Sequence, residues 1–306
     1  MKFDYYAELS FLPACPTDLK SPTGLISGGG YTTWAARGDD EKNQARQCYI
    51  KNAKQLSAPQ LPEELKLDVC LSSLPDSMWI GFQIGFELQY PWYSKDDKPF
   101  HVLDNPVRKD RVFGVPYMSA ASWKGLLRWA CRMRSGLIGH LKDHSGKMDG
   151  WRDDPWIVYL FGNEKIEKRE FQQGAVAFYP TWFKKIGFEV INPHSRARRA
   201  GTQPIYYEVV PAKTKALLNL LYAPLPGAAA RDEVDSSKGL CNLLDATETL
   251  LTSYGISAKR TTSWGTAKIE SWQAFSKGRT PIKESSLLNF KDKVQSWMTS
   301  EVKAHE

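Results

Sequence analysis

The clearest pattern along the chain is an alternation of apolar and other residues over residues 80–90. Apolar or aromatic side chains occupy every second position: Ile80, Phe82, Ile84, Phe86, Leu88 and Tyr90. Glycine or a polar residue stands between each pair. A period of two suits a strand and cannot be satisfied by a helix. The pattern therefore predicts a strand of an antiparallel sheet that is covered on one face.

A helical pattern follows at residues 119–130. Four apolar residues fall at i, i+3, i+4 and i+7, namely Trp123, Leu126, Leu127 and Ala130, and three basic residues follow another face, namely Lys124, Arg128 and Arg132. We expect Ser119 or Ser122 to be the N-cap. The helix would present an apolar stripe to the sheet and a basic stripe to solvent. Two interpretations of the basic stripe stay open, a phosphate-binding surface and an ordinary solvated face.

Further periodicities predict the remaining elements. Strands are expected at residues 174–179, 205–210 and 217–222, and helices are expected at residues 39–56, 239–254 and 286–298. Gly255 stands where a left-handed residue would end the 239–254 helix. Strands and helices in this order fit a ferredoxin-like α+β unit with an antiparallel sheet. We divide the chain into an N-terminal extension (1–78), a core (79–272) and a C-terminal amphipathic helix (273–306).

Charge points to a polyanionic partner. The chain of 306 residues has 41 Lys and Arg against 34 Asp and Glu, a net charge of +7. The first 80 residues hold 8 basic and 10 acidic residues, so the positive excess lies in the rest of the chain. Basic clusters beside aromatic residues favour binding of single-stranded nucleic acid, which needs both charge and stacking surfaces. The alternative is a basic globular protein with no nucleic-acid partner.

Metal sites and membrane segments are not predicted. The five cysteines form no CxxC pair, and His140 and His144, at i and i+4, have no third ligand nearby in the sequence. We therefore expect no metal site and no intrinsic cofactor. No stretch approaches the ~20 apolar residues that cross a bilayer, and the N-terminus does not resemble a signal peptide. These features predict a soluble, cytoplasmic protein without a membrane partner.

Three segments together resemble a known family. Asp104-Asn105-Pro106-Val107 leads through Pro116-Tyr117 into Ser122-Trp123-Lys124-Gly125-Leu126-Leu127-Arg128, and a late turn spans residues 255–265. This combination resembles the RAMP superfamily (repeat-associated mysterious proteins) of type III CRISPR effector complexes, over residues 79–272. Ser257 and Ser263 depart from the family pattern, because glycine is usual at both positions, and serine resists positive φ more than glycine does.

The resemblance implies an RRM-like core that holds CRISPR RNA within a multisubunit complex of antiviral defence. Its expected partners are CRISPR RNA, other RAMP subunits and, as a further partner, target RNA. Residues 191–207 are similar to the members that cap the guide-RNA filament. The RNA-binding residues it implies are Arg108, Lys109, Tyr117, Ser122, Lys124, Arg128, Arg196, Arg198, Arg199, Gly255, Lys259, Arg260, Trp264 and Gly265. Tyr117, Trp123 and Trp264 could stack on bases, with a position in the core as the alternative.

The resemblance also singles out Asp104. In filament-forming members the aspartate of this loop is implicated in metal-dependent cutting of target RNA, so a divalent metal such as Mg²⁺ would be needed only if Asp104 is catalytic. The alternative is that Asp104 caps the Asn-Pro turn that follows it. We expect a non-catalytic RNA-binding subunit, with an endoribonuclease subunit as the second hypothesis. A guide-processing nuclease that uses His101 and His194 as acid and base is a third.

Overall fold

The computed structural model describes residues 35, 38–55, 74–96, 101–110, 114–163, 173–192, 194–195, 200–201, 204–224 and 234–302. The helices are α1 (Asp39–Gln55), α2 (Ala120–Arg134), α3 (Leu137–Asp143), α4 (Pro155–Phe161), α5 (Ser236–Thr249) and α6 (Leu287–Val302). The strands are β1 (Ile80–Leu88), β2 (Tyr117–Met118), β3 (Val176–Phe178), β4 (Thr181–Trp182), β5 (Gly187–Ile191), β6 (His194–Ser195), β7 (Ala200–Gly201), β8 (Ile205–Val209), β9 (Lys215–Tyr222), β10 (Ala267–Phe275) and β11 (Ile282–Glu284).

The main sheet has the strand order β11-β10-β1-β9-β3, and every neighbouring pair is antiparallel. In chain order its core is β1, α2, β3, β9, α5 and β10, with β1 between β9 and β10. This is the topology of a ferredoxin-like, RRM-like α+β unit, so the predicted fold class is confirmed. β11 extends one edge of the sheet, and the C-terminal helix α6 follows it.

The core lies between one face of the sheet and the helices. The five side chains of β1 that point to this face are at most 4% exposed: Ile80, Phe82, Ile84, Phe86 and Leu88. Trp123 and Leu127 of α2, Leu244 of α5 and Phe290 of α6 pack against them. On the opposite face Gln83 and Asn219 form a hydrogen bond across β1 and β9 (3.1 Å). The alternation of β1 therefore separates an apolar face from a polar one, as predicted.

The predicted helix at residues 239–254 is wrong in its last turn. The α-helix α5 ends at Thr249, and residues 250–254 form a π-helical turn. Two threonine hydroxyls bond to the helix backbone at this point. Thr249 and Thr252 each donate to the carbonyl oxygen four residues before them (3.0 and 2.8 Å). Gly255 follows with φ 77° and ψ 155°, a positive φ but not the left-handed helical conformation that was expected.

Helix α1 packs on the body of the protein. Its Ala45, Tyr49 and Ala53 form a cluster with Val102 and Leu103 of the loop that follows β1. The short elements α3, α4, β2, β4, β5, β6, β7 and β11 were not predicted from the sequence. In the described part of the chain, no helix is long and apolar enough to cross a membrane.

Candidate nucleic-acid interface

The loop at residues 101–110, which carries Asp104, is fastened to strand β8. The backbone N–H of Glu208 donates to the carbonyl oxygen of Asn105 (3.0 Å), and the Asn105 amide donates to the carbonyl oxygen of Tyr206 (3.3 Å). The N–H of Val107 donates to Glu208 Oε2 (3.0 Å). These bonds hold the loop in one position beside β8.

A buried ion pair anchors the same loop. Lys109 Nζ lies 2.6 Å from Glu208 Oε1 and 3.0 Å from the Tyr49 hydroxyl, which itself donates to Glu208 Oε1 (2.5 Å). Burial alone would raise the pKa of Glu208, but the charges of Lys109 and His101 and the hydrogen bonds from Lys109 and Tyr49 outweigh burial and lower it. Lys109 is 4% exposed. The predicted contact between Lys109 and RNA requires an ammonium group on the surface. In the structure this group is buried and is neutralised by Glu208. We therefore leave Lys109 out of the interface.

Asp104 lies on the surface, with 75% of its side chain exposed. Both of its carboxylate oxygens accept from Arg46 Nη2 of α1 (3.1 and 2.9 Å), and Arg46 Nε donates to the carbonyl oxygen of Val102 (3.2 Å). The observed partner of Asp104 is therefore a guanidinium from the N-terminal part of the chain. Arg108, four residues later, is half-buried, and its backbone N–H donates to the carbonyl oxygen of Ser94 (2.8 Å).

Helix α2 begins at a serine cap beside a pair of stacked aromatic rings. Ser119 is the N-cap, and its hydroxyl accepts from the N–H of Ser122 (3.2 Å). Just before it, the rings of Tyr117 and Trp182 stack with centroids 5.2 Å apart. Lys124 is exposed in the first turns, and partial burial, followed by the charge of Arg128, lowers its pKa. The start of α2 thus combines the N-terminal end of a helix, a cation and stacked rings.

The predicted basic stripe of α2 is partly neutralised. Arg128 and Arg132 both bind Asp153, at 2.6 Å in each case, and Trp151 also donates to Asp153 (3.0 Å). Burial tends to raise the pKa of Asp153, but the hydrogen bonds from Arg132, Trp151 and Arg128 lower it overall. Of the three basic residues of the stripe, Lys124 alone is exposed and forms no ion pair within the described residues.

Trp123 and Trp264 differ in their surroundings. Trp123 is fully buried, and its indole N–H donates to Thr181 Oγ1 (2.9 Å), so it is a core residue. Trp264 is half-buried, and its ring meets the edge of the Tyr207 ring (5.9 Å).

The late turn at residues 255–265 is closed at its base by two glycines. Gly255 has φ 77° and Gly265 has φ 80°, and the N–H of Ile256 donates to the carbonyl oxygen of Gly265 (3.1 Å). A Cβ on Gly265 would lie 2.4 Å from the nitrogen of Ser257, so the two strands of the turn touch at this point. Only glycine fits here without a shift of the backbone.

The two serines that depart from the family pattern have different roles in this turn. Ser257 is buried, and its hydroxyl donates to the carbonyl oxygen of Tyr93 and accepts from the N–H of Tyr93 (both 3.0 Å). A glycine could not form these bonds. Ser263 adopts φ 62° although it carries a side chain, so the turn bends as sharply as the glycine pattern implied.

The cations of the late turn lie over aromatic rings. Lys259 Nζ is 4.6 Å from the centroid of the Tyr207 ring, and the Arg260 guanidinium is 4.5 Å from that of the Trp129 ring. Trp129 belongs to α2 and Tyr207 belongs to β8. The late turn therefore contacts both α2 and β8, while β8 holds the loop at residues 101–110. These contacts link the three segments of the sequence pattern through α2 and β8.

Several residues that position these segments were not identified from the sequence, namely Arg46, Trp129, Trp182, Tyr207 and Glu208. Trp182 lies two residues before Lys184 and Lys185, and an aromatic residue beside a pair of basic residues is the signal that could have identified it. The others become neighbours only through tertiary contacts. Arg196, Arg198 and Arg199 lie outside the described residues.

Comparison with models of protein families identifies one family. The model of the RAMP superfamily matches residues 19–268. No curated protein shows significant sequence similarity to this chain. Among solved structures, one similar chain comes from the cryo-electron microscopy structure of the type III-B Cmr-beta bound to cognate target RNA, with 14% identity, 78% of this chain and 74% of that chain covered, and a TM-score of 0.49.

Two further similar structures are a CRISPR RNA-guided surveillance complex and such a complex described as pre-nicking. The first shows 15% identity, a TM-score of 0.44, and coverage of 64% of this chain and 68% of that chain. The second shows 11% identity, a TM-score of 0.45, and coverage of 64% and 75%. The family match spans most of the chain, and this protein therefore belongs to the RAMP superfamily.

Proposed function

We propose that this protein is a structural subunit of a type III CRISPR effector complex that binds CRISPR RNA next to other RAMP subunits. The observation that carries the proposal is the junction of α2, the late turn and β8, where Lys259 and Arg260 lie over aromatic rings. Charge and aromatic rings at one place are what single-stranded RNA requires of a protein that holds its backbone.

The cations at this junction keep their charge. A carboxylate partner neutralises a lysine, as Glu208 does for Lys109, whereas an aromatic ring attracts the cation without removing its positive charge. Lys259 is half-buried, and Lys124 is exposed near the start of α2. Phosphate groups could therefore bind Lys124, Lys259 and the first N–H groups of α2.

Gly125 supports contact between RNA and the surface of α2. It is exposed within the helix, and a Cβ at this position would meet no atom within 4 Å. Glycine inside a helix costs about 0.5–1 kcal/mol relative to alanine, and packing within the protein does not require it here. A ligand that approaches the helix closely would explain a glycine at this position, one residue after Lys124.

Binding of a single-stranded RNA oligonucleotide at several salt concentrations tests the proposal. We expect affinity to fall as salt rises, and Lys124→Ala or Lys259→Ala should each reduce the log–log salt slope by about 0.7 without unfolding the protein. Lys283→Ala is the matched control, because Lys283 is an exposed lysine on the edge strand β11. RNA binding that does not depend on salt, or equal slopes for all four proteins, would contradict the proposal.

The surroundings of Asp104 favour a non-catalytic subunit. A divalent metal would need the carboxylate oxygens that Arg46 binds, and no group of three or more His, Cys, Asp or Glu side chains suited to a metal occurs among the described residues. The described residues around Asp104 therefore do not form a cluster that would hold a metal. Target-RNA cleavage by the assembled complex with Asp104→Ala separates the hypotheses: unchanged cleavage supports the structural role, and loss of cleavage at any position supports the nuclease.

A further inference from the structure

An exposed tyrosine stands at the end of the central strand, beside the late turn. Tyr90 is 51% exposed, two residues after β1 ends. The N–H groups of Gln89 and Tyr90 both donate to the carbonyl oxygen of Thr266 (2.8 and 3.4 Å). Thr266 directly follows Gly265, at the base of that turn. The backbone of Tyr90 is therefore fixed to the proposed RNA interface, while its ring faces solvent.

A second turn, on the side of β9, is hydrogen-bonded to Leu88, two residues before Tyr90. The N–H of Lys213 donates to the carbonyl oxygen of Leu88 (2.7 Å), and the N–H of Leu88 donates to that of Thr214 (3.0 Å). Lys213 is exposed and forms no ion pair in the part of the chain that the structure describes. Lys215, two residues later, is instead bound by Glu270 (2.9 Å). The lysine of the turn that is hydrogen-bonded to the end of β1 is thus not neutralised by a described carboxylate.

Both turns contain a strained residue. Lys213 and Ser263 each have φ 62°, and with Ser145 they are the non-glycine residues of positive φ among those described. A side chain in this conformation costs about 1–3 kcal/mol, and such strain concentrates at ligand-binding sites. Two of these three residues lie in the turns that flank Tyr90.

We propose that Tyr90 and Lys213 form a second nucleotide-binding platform, in which the Tyr90 ring stacks on a base of single-stranded RNA and Lys213 binds an adjacent phosphate. The platform rests on the proposed function and extends the RNA path from the late turn to the end of β1. Exposed tyrosine, exposed lysine and a rigid backbone between two turns match the chemistry of a nucleotide, because a base has a face to stack and its phosphate has a charge.

Anisotropy of a labelled single-stranded RNA with the full chain tests the platform. Tyr90→Ala should weaken binding about five- to hundredfold, the range for loss of one stacked base, and leave the salt slope unchanged. Tyr90→Phe, which keeps the ring, should bind like the wild type. Lys213→Asn should reduce the slope by about 0.7, and asparagine tolerates the positive φ.

Leu288→Ala is the control, because Leu288 is an apolar side chain of α6 that is 65% exposed. If the wild type binds RNA and Lys259→Ala weakens binding while Tyr90→Ala binds within twofold of the wild type, the platform is wrong and the proposed function stands. If Tyr90→Phe weakens binding as much as Tyr90→Ala, stacking is also refuted. A wild type that binds no RNA would refute the proposed function, and the platform with it.

Discussion

The loop at residues 101–110 and the turn at residues 255–265 both contact β8, yet they hold their lysines in opposite ways. Lys109 is buried against Glu208 and Tyr49. Lys259 lies over the ring of Tyr207, the residue before Glu208. One lysine stabilises the fold through a neutralising partner, and the other keeps a positive charge near the surface. A lysine within a family motif therefore acquires its role from its partner, and the two regions should respond differently to mutation.

The largest effect is expected at the buried pair. Lys109→Met would leave Glu208 as an uncompensated buried charge, and we expect the free energy of unfolding to fall by about 3–5 kcal/mol. The double variant Lys109→Met, Glu208→Gln should recover much of this loss, because no charge then remains to be buried. Urea unfolding measures both variants. A loss below about 1 kcal/mol for Lys109→Met would show that the pair does not anchor the loop.

Acid should weaken the same region. Glu208 has a pKa below its ordinary value of 4.5, so the folded state favours the charged form more than the unfolded state does. Its contribution to stability is then complete above pH 4.5 and is lost as the pH falls through the lower pKa of the folded state. Unfolding measured across this range should show a shallower decline for Glu208→Gln than for the wild type. Equal declines would mean that other carboxylates, such as Asp153, account for the effect.

The late turn should depend on glycine more than on charge for its shape. Gly265→Ala should destabilise the protein by more than about 1 kcal/mol, because alanine is strained at φ 80° and its Cβ would lie 2.4 Å from the nitrogen of Ser257. Gly278→Ala is the matched control, since Gly278 has φ 70° with no atom within 4 Å of an added Cβ. Equal losses of stability would indicate that backbone strain, and not the closed base of the turn, governs both positions.

Sequence patterns predicted the fold better than the site. The alternation of β1 and the apolar stripe of α2 follow from burial against one sheet, which period alone reveals. The role of the basic stripe of α2 could not be predicted in this way. Arg128 and Arg132 are neutralised by Asp153, which lies 25 and 21 residues after them in the chain. The same holds for Lys109, whose partner Glu208 lies 99 residues away. A sequence shows where charges are, but tertiary contacts decide which of them are neutralised.

The late turn shows the opposite case, in which a departure from the family pattern was explained by the structure. Ser257 stands where the family usually has glycine, and its hydroxyl ties the turn to Tyr93 through two hydrogen bonds. The main-chain segment that forms these bonds, once as acceptor and once as donor, follows β1, more than 160 residues earlier. Local propensity describes only the cost of serine at such a position, and the compensating contact is not local.

The smallest effect in stability is the sharpest test of the interface. Gly125→Ala should raise the free energy of unfolding by about 0.5–1 kcal/mol, because alanine favours the helix and its methyl group would meet no protein atom. If RNA approaches α2 at this point, the same substitution should weaken RNA binding. Gly139→Ala is the matched control, because Gly139 is an exposed glycine of α3 with equally open surroundings.

Both alanine variants should thus be more stable than the wild type, and only Gly125→Ala should lose affinity for single-stranded RNA. A general effect of stability on binding would change both variants alike. A Gly125→Ala protein that is more stable and binds RNA as the wild type does would place the RNA away from α2. The interface would then have to be confined to the late turn and β8, where Lys259 lies over the Tyr207 ring.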